Sequence, residues 1–160
     1  DEIVSLLPNC DLAAKSLYCK ALILKSYEDY RESIEILQQL IRRFPKNSLA
    51  PEAFLQISQI YFLQTSPKHQ DPDLLDMAQV NLKKFESAFP NDKRNEAAKE
   101  NLTQMNEVYA QSLYEIGRFF ERTKKPNASL IYYTKIVANF PDTKAAAMSR
   151  QRIAVIDKKL

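Results

Sequence analysis

Phe-Pro occurs three times in this chain, at Phe44-Pro45, Phe89-Pro90 and Phe140-Pro141, and the residues around each copy match at fixed offsets. Twelve residues before each proline stands a small residue (Ser33, Ala78, Ser129), eight before it a large one (Leu37, Leu82, Tyr133), and five before it another (Leu40, Phe85, Ile136). Together with the phenylalanine these positions trace one apolar stripe of a helix. The proline ends that helix, because it has no N–H to offer and its ring clashes with the preceding turn. Eight residues after each proline a small residue returns (Ala53, Ala98, Ser149), followed by large aliphatics at twelve (Ile57, Leu102, Ile153) and fifteen (Ile60, Met105, Ile156). Polar residues hold intervening positions, as in Gln56, Asn101 and Arg152. A second helix therefore follows every Phe-Pro turn, and such pairs bury their apolar faces only by stacking on one another.

The pattern predicts helices over 11–26, 29–43, 50–64, 73–88, 93–124, 127–139 and 143–159, with no strand. Asp73, after Pro72, and Asn127, after Pro126, read as N-caps. Arg42, Arg43, Lys83, Lys84, Lys124 and Lys125 read as solvated cations in final turns, where they complement the negative helix end. The C-terminal helix carries Ile153, Ile156 and Leu160 at helical spacing behind Ala145, Ala146 and Ala147, and so reads as an end cap or as the start of a further unit.

Composition closes off most chemistry. One glycine in 160 residues cannot furnish a phosphate-cradling loop or a dinucleotide-binding turn. The single histidine, His69, and two cysteines, Cys10 and Cys19, are too few for a zinc site, and any His-assisted nucleophile would depend on His69 alone. His69 with Asp71 and Asp73 sits in a polar loop and does not complete a metal site. We expect no catalytic residue, no metal, no cofactor, no nucleic-acid partner and no small-molecule substrate, the net charge being only +3. The cysteines are nine residues apart on opposite faces of a helical stretch and read as free thiols rather than a disulfide. Two glycosylation-type triplets, Asn101-Leu102-Thr103 and Asn127-Ala128-Ser129, fall at or within helices and are discounted. No apolar run is long enough to span a bilayer. Asp1-Glu2 opens the sequence without Met, as a processed or excised fragment would.

The small, large, large and proline positions of the second helix, with a small position in the helix before it, resemble tetratricopeptide (TPR) repeats. Leu113, Ile116, Gly117 and Phe120, followed by Ser129, Tyr133, Ile136 and Pro141, carry the resemblance best; Leu17, Ala21, Leu24, Ser33, Leu37, Leu40 and Pro45 fit the same frame. Phe54, Ile57, Ser58 and Tyr61, then Ala78 and Pro90, form the middle unit. The implied fold is all-α, an α-solenoid of stacked TPR-like helical hairpins with about three repeats plus a C-terminal helix. Residues 1–160 then form a single domain with repeats near 11–45, 50–90 and 93–141 and a terminal helix at 143–160. Gly117 has a packing role in this frame.

The prolines are 45 and 51 residues apart, against 34 in a regular array. The excess lies in the loop Thr65-Ser66-Pro67-Lys68-His69-Gln70-Asp71-Pro72 and in an overlong helix from Lys93 to Lys124. This order of irregularities is similar to the BamD family of outer-membrane assembly lipoproteins, over about two thirds of the chain. The resemblance implies a non-enzymatic scaffold on the periplasmic face of the outer membrane, held by an N-terminal lipid outside this chain. It would bind a BamA-like barrel-inserting subunit and help receive unfolded outer-membrane proteins. TPR geometry implies a peptide groove lined by Tyr18, Leu22 and Lys25, by Leu55, Gln59 and Phe62, and by Tyr114, Arg118 and Glu121, unless neighbouring helices bury these side chains. A generic cytosolic TPR adaptor or secretion chaperone, or an envelope coordinator of cell-wall synthesis, remains the alternative.

Overall fold

The computed structural model describes residues 11–66 and 71–158, apart from the side chain of Pro72. These residues form seven helices and no strand: α1 (Asp11–Ser26), α2 (Tyr30–Arg43), α3 (Leu49–Gln64), α4 (Pro72–Ala88), α5 (Arg94–Arg122), α6 (Pro126–Asn139) and α7 (Lys144–Asp157). Every described boundary lies within two residues of the sequence expectation. Cys10, His69 and Leu160 lie outside the described residues. The helices gather into two compact units, one holding the described residues through Gln64 with Pro72–Leu102, the other holding Thr65, Ser66 and Asp71 with the described residues from Thr103 onward.

The three Phe-Pro turns are built alike. Each phenylalanine N–H makes the last helical bond of its helix, to Leu40, Phe85 or Ile136 carbonyls at 2.8 Å. Each phenylalanine carbonyl, barred by the proline from continuing the helix, accepts the N–H of the residue three on: Asn47 at 3.0 Å, Asp92 and Thr143 at 3.2 Å. That third residue then starts the next helix with its side chain. Asn47 Oδ1 accepts from the Leu49 N–H at 2.9 Å, Asp92 Oδ1 from the Arg94 N–H at 2.9 Å and Thr143 Oγ1 from the Ala146 N–H at 3.1 Å. The capping class of the residue at this position, Asn, Asp or Thr, was a signal in the sequence that periodicity alone does not expose.

The capping residue stands three after the phenylalanine in every turn, and the small positions on both sides of the turns lie inside. Ser33, Ala53, Ala78, Ala98, Ser129 and Ser149 are all buried. Ser33 Oγ donates to the Ala21 carbonyl at 2.8 Å, and Ser129 Oγ to Pro126 at 2.8 Å, so these hydroxyls enter the dry interface with acceptors. In the first unit Phe54 and Phe85 stack at 5.2 Å, with Phe89 set edge-on to both. In the second, Tyr133, Ile136, Ala145, Ala146 and Ile156 form the core with Ala110. Gly117 of α5 lies against it: a Cβ there would fall 2.7 Å from Tyr133 Cε1.

The local signals needed correction at several points. Asp73 and Asn127 are not N-caps, because Pro72 and Pro126 themselves take the first helical position, where a missing N–H costs nothing and φ is already set; the cap of α6 is Lys125. Lys83 and Lys84 precede the last turn of α4, whereas Arg42 and Arg43 do occupy that of α2. Lys124 lies beyond α5 with φ 58°, and Glu28 beyond α1 has φ 63°. Both sit in the left-handed position of a Schellman closure: Asp29 N–H bonds to the Leu24 carbonyl at 3.0 Å, and Lys125 N–H to Phe120 at 2.9 Å. Glycine would hold these positions with less strain.

Two substitutions test these points in opposite directions. Glu28→Gly, at an exposed site, should stabilise the chain by about 0.5–1 kcal/mol, the relief of left-handed strain exceeding the added unfolded-state entropy. Gly117→Ala gains ~1 kcal/mol of helix propensity but must displace the buried Tyr133 ring, so a net loss of about 1–2 kcal/mol is expected, as for other overpacked cores. Thermal melts should show Glu28→Gly rising and Gly117→Ala falling by a few degrees.

Candidate functional site

In the first unit α1, which carries Tyr18, Leu22 and Lys25, packs on α3, which carries Gln59 and Phe62, and the contact the two helices make through these residues is that of Lys25 with Gln59. Lys25 Nζ donates to Gln56 Oε1 at 2.8 Å and to Gln59 Oε1 at 3.0 Å. Both acceptors are neutral, no carboxylate bonds the ammonium among the described residues, and burial lowers the Lys25 pKa from its ordinary value. At the other end of this face the Tyr18 hydroxyl donates to Glu52 Oε1 at 3.5 Å; burial first, and then the Glu52 charge, raise its pKa. Glu52 also accepts from Arg94 at 3.0 Å, and Asp92 holds Arg94 at 2.8 Å. The hydrogen bonds that Arg94 donates to Asp92 keep Asp92 below the usual carboxylate range and raise Arg94. Leu22 and Phe62 are half-buried. Leu55 turns partly inward, packing on the cluster of Phe54, Phe85 and Ala98.

The second unit treats the same repeat position differently. Glu121 stands four residues after the small Gly117, as Lys25 does after Ala21. Here the charge is cancelled internally: Glu121 accepts the Tyr133 hydroxyl at 2.9 Å and is clamped by the Arg152 guanidinium, one of whose bonds, from Nε, measures 3.2 Å. These bonds, Arg152 foremost, hold the Glu121 carboxyl below its ordinary value, and burial together with Glu121 pushes Tyr133 up. Tyr114 is half-buried and tilted on Tyr133 at 5.5 Å between ring centres. Arg118 is exposed. Arg152 is the functional neighbour that sequence reasoning left among the plain polar positions. The signal was available, since Gln56 and Arg152 share one offset from their prolines and each bonds the residue four after the preceding small position.

Residues 53–159, roughly two thirds of the chain, match the model of the YfiO family, described as an outer membrane lipoprotein. The chain belongs to this family. Residues 15–47 match a tetratricopeptide repeat, which covers most of α1, all of α2 and the first Phe-Pro turn. No curated protein matches the chain. Tyr18, Leu22 and Lys25 thus fall in the repeat match, and Leu55, Gln59, Phe62, Tyr114, Arg118 and Glu121 in the lipoprotein-family match. Tetratricopeptide repeats mediate protein–protein interaction. Among the described residues no helix is long and apolar enough to cross a membrane, and no group of three His, Cys, Asp or Glu is arranged to hold a metal ion.

The Glu121 clamp has a pH signature. A carboxyl whose folded pKa is depressed contributes stability above its ordinary value of 4.5 and loses it as pH falls through the folded pKa. Glu121→Gln should therefore melt below wild type at about pH 6, with the difference shrinking toward about pH 3 as the wild-type carboxylate is protonated. A difference that stays constant over that range would assign the loss to packing instead of charge.

Proposed function

We propose that this chain is a non-enzymatic scaffold that supports assembly of outer-membrane β-barrel proteins at the periplasmic face of the outer membrane. Its partners in this reading are a BamA-like barrel-inserting subunit and unfolded outer-membrane proteins. Family membership supports the setting. The observation that carries the binding role is Lys25, a half-buried cation whose acceptors among the described residues are all neutral, on the helix that also carries the half-buried Tyr18 and Leu22. Such a face offers apolar contact for side chains of an extended segment and an unspent positive charge for a carboxylate. Gln59 orients the ammonium, and Leu55 contributes the edge that its core packing leaves accessible.

For a folded partner the second unit offers a different surface. Ile116 and Phe119 of α5 are 39% and 53% exposed, and Arg118, between them in sequence, is exposed as well. Aromatic and Arg anchors of this type dominate protein interfaces, which bury about 1,200–2,000 Å² in total. Tyr114 supports this surface from within the core, while Glu121, spent on Arg152, serves to hold α5 to α7.

Binding of the full chain to the periplasmic repeat domain of the barrel-inserting subunit, and separately to an unfolded outer-membrane protein segment bearing acidic residues, tests both arms. Phe119→Ala and Arg118→Ala should each weaken the first complex about tenfold or more. Lys25→Met should weaken the second and flatten its salt dependence while leaving the first intact. If the chain associates with neither probe, a general TPR adaptor becomes the better reading.

A further inference from the structure

A groove of about 480 Å³ runs between α2 and α4 of the first unit, on a different face of α3 from Leu55, Gln59 and Phe62. Phe54, Ile57 and Tyr61 of α3 form its floor, and Ile41, Met77 and Val80 its walls. Met77 and Val80 are 43% and 50% exposed. All three helices that bound the groove spend their backbone amides on their own hydrogen bonds, and the buried Asn81 amide in its wall already donates to the Phe54 carbonyl at 3.0 Å. An extended peptide laid here would lose water from its own N–H and C=O groups without gaining partners. A helix arrives with those groups paired.

Charge decides what kind of helix. Arg42 and Lys84, from the last two turns of α2 and α4, line the groove, are exposed and have no carboxylate partner among the described residues. Asp76 lies two turns earlier on α4, also exposed and without an ionic partner among the described residues. From Asp76 to Lys84 α4 rises roughly 12 Å, or about two helical turns. We infer that this groove binds an amphipathic helix of a partner protein, which lays about two turns of apolar face on Ile41, Tyr61, Met77 and Val80 and sets a carboxylate against Arg42 and Lys84. Asp76 at the far end favours a cation on the partner and thereby fixes its direction. This surface is separate from the Lys25 face, so one chain can hold an extended segment and a helix together.

The test uses the full chain and three synthetic peptides of about 15 residues, about four helical turns. The first carries a leucine stripe with Glu at the position meeting Arg42 and Lys84, the second replaces that Glu with Lys, and the third places proline mid-helix. Fluorescence anisotropy should give micromolar binding for the Glu peptide, at least about tenfold weaker binding for the Lys peptide, and none for the proline peptide. In the double variant Arg42→Glu with Lys84→Glu the preference between Glu and Lys peptides should reverse. Val80→Glu should abolish binding with an unchanged melting temperature, because the side chain is half exposed and leaves the core intact. Equal binding of the Glu and Lys peptides, retention by Val80→Glu, equal binding of the proline peptide, or no binding by any of them would overturn the inference.

Discussion

One carbonyl group per hairpin, that of the phenylalanine before proline, sets the geometry on which the rest depends. Proline removes the donor that would prolong the helix, so this carbonyl turns to the N–H three residues on, and the residue bearing that N–H caps the following helix. Every turn then sets its capping residue three positions after the phenylalanine. That fixed spacing is what keeps the small positions on both sides of the turn in one frame. Without it the offsets of the repeat would drift and the large residues would collide.

The repeat therefore supplies equivalent places and leaves their chemistry open. The position four after the small residue of a first helix points toward the next first helix in both units. Where it holds Lys25, neutral amides from Gln56 and Gln59 position the charge without cancelling it. Where it holds Glu121, Arg152 and Tyr133 consume the charge and bind α5 to its neighbours. One scaffold position thus keeps its charge among neutral acceptors in one unit and spends it on cohesion in the other.

Helix number, type and register were legible in the sequence because they follow from short-range rules: period, proline and side-chain size. The burial of Ser33, Ala78 and Ser129 matches the frame read from the Phe-Pro offsets. Less legible were features in which two local rules compete. Asp73 and Asn127 lost the capping role to prolines that occupy the first helical position, and Glu28 and Lys124 adopt a conformation usually left to glycine because the Schellman bonds offset its strain. In the candidate site, residue positions could be enumerated from the frame and the offset shared by Gln56 and Arg152 marked the partner position, but the clamp itself also depends on the reach of Arg152 to Glu121 from another helix. Leu55 likewise shows how a position on the expected face can still lean on the core.

The close approach of Gly117 to Tyr133 has a consequence for how sequences of this architecture change. With only a hydrogen for a side chain, position 117 leaves a hollow that the Tyr133 ring fills completely. Neither residue can be enlarged alone, and shrinking the tyrosine alone leaves a void and strips a hydrogen bond from Glu121. The two positions are therefore bound to vary as a pair, a larger residue at 117 accompanying a smaller one at 133, and drift at either site must pass through a less stable intermediate.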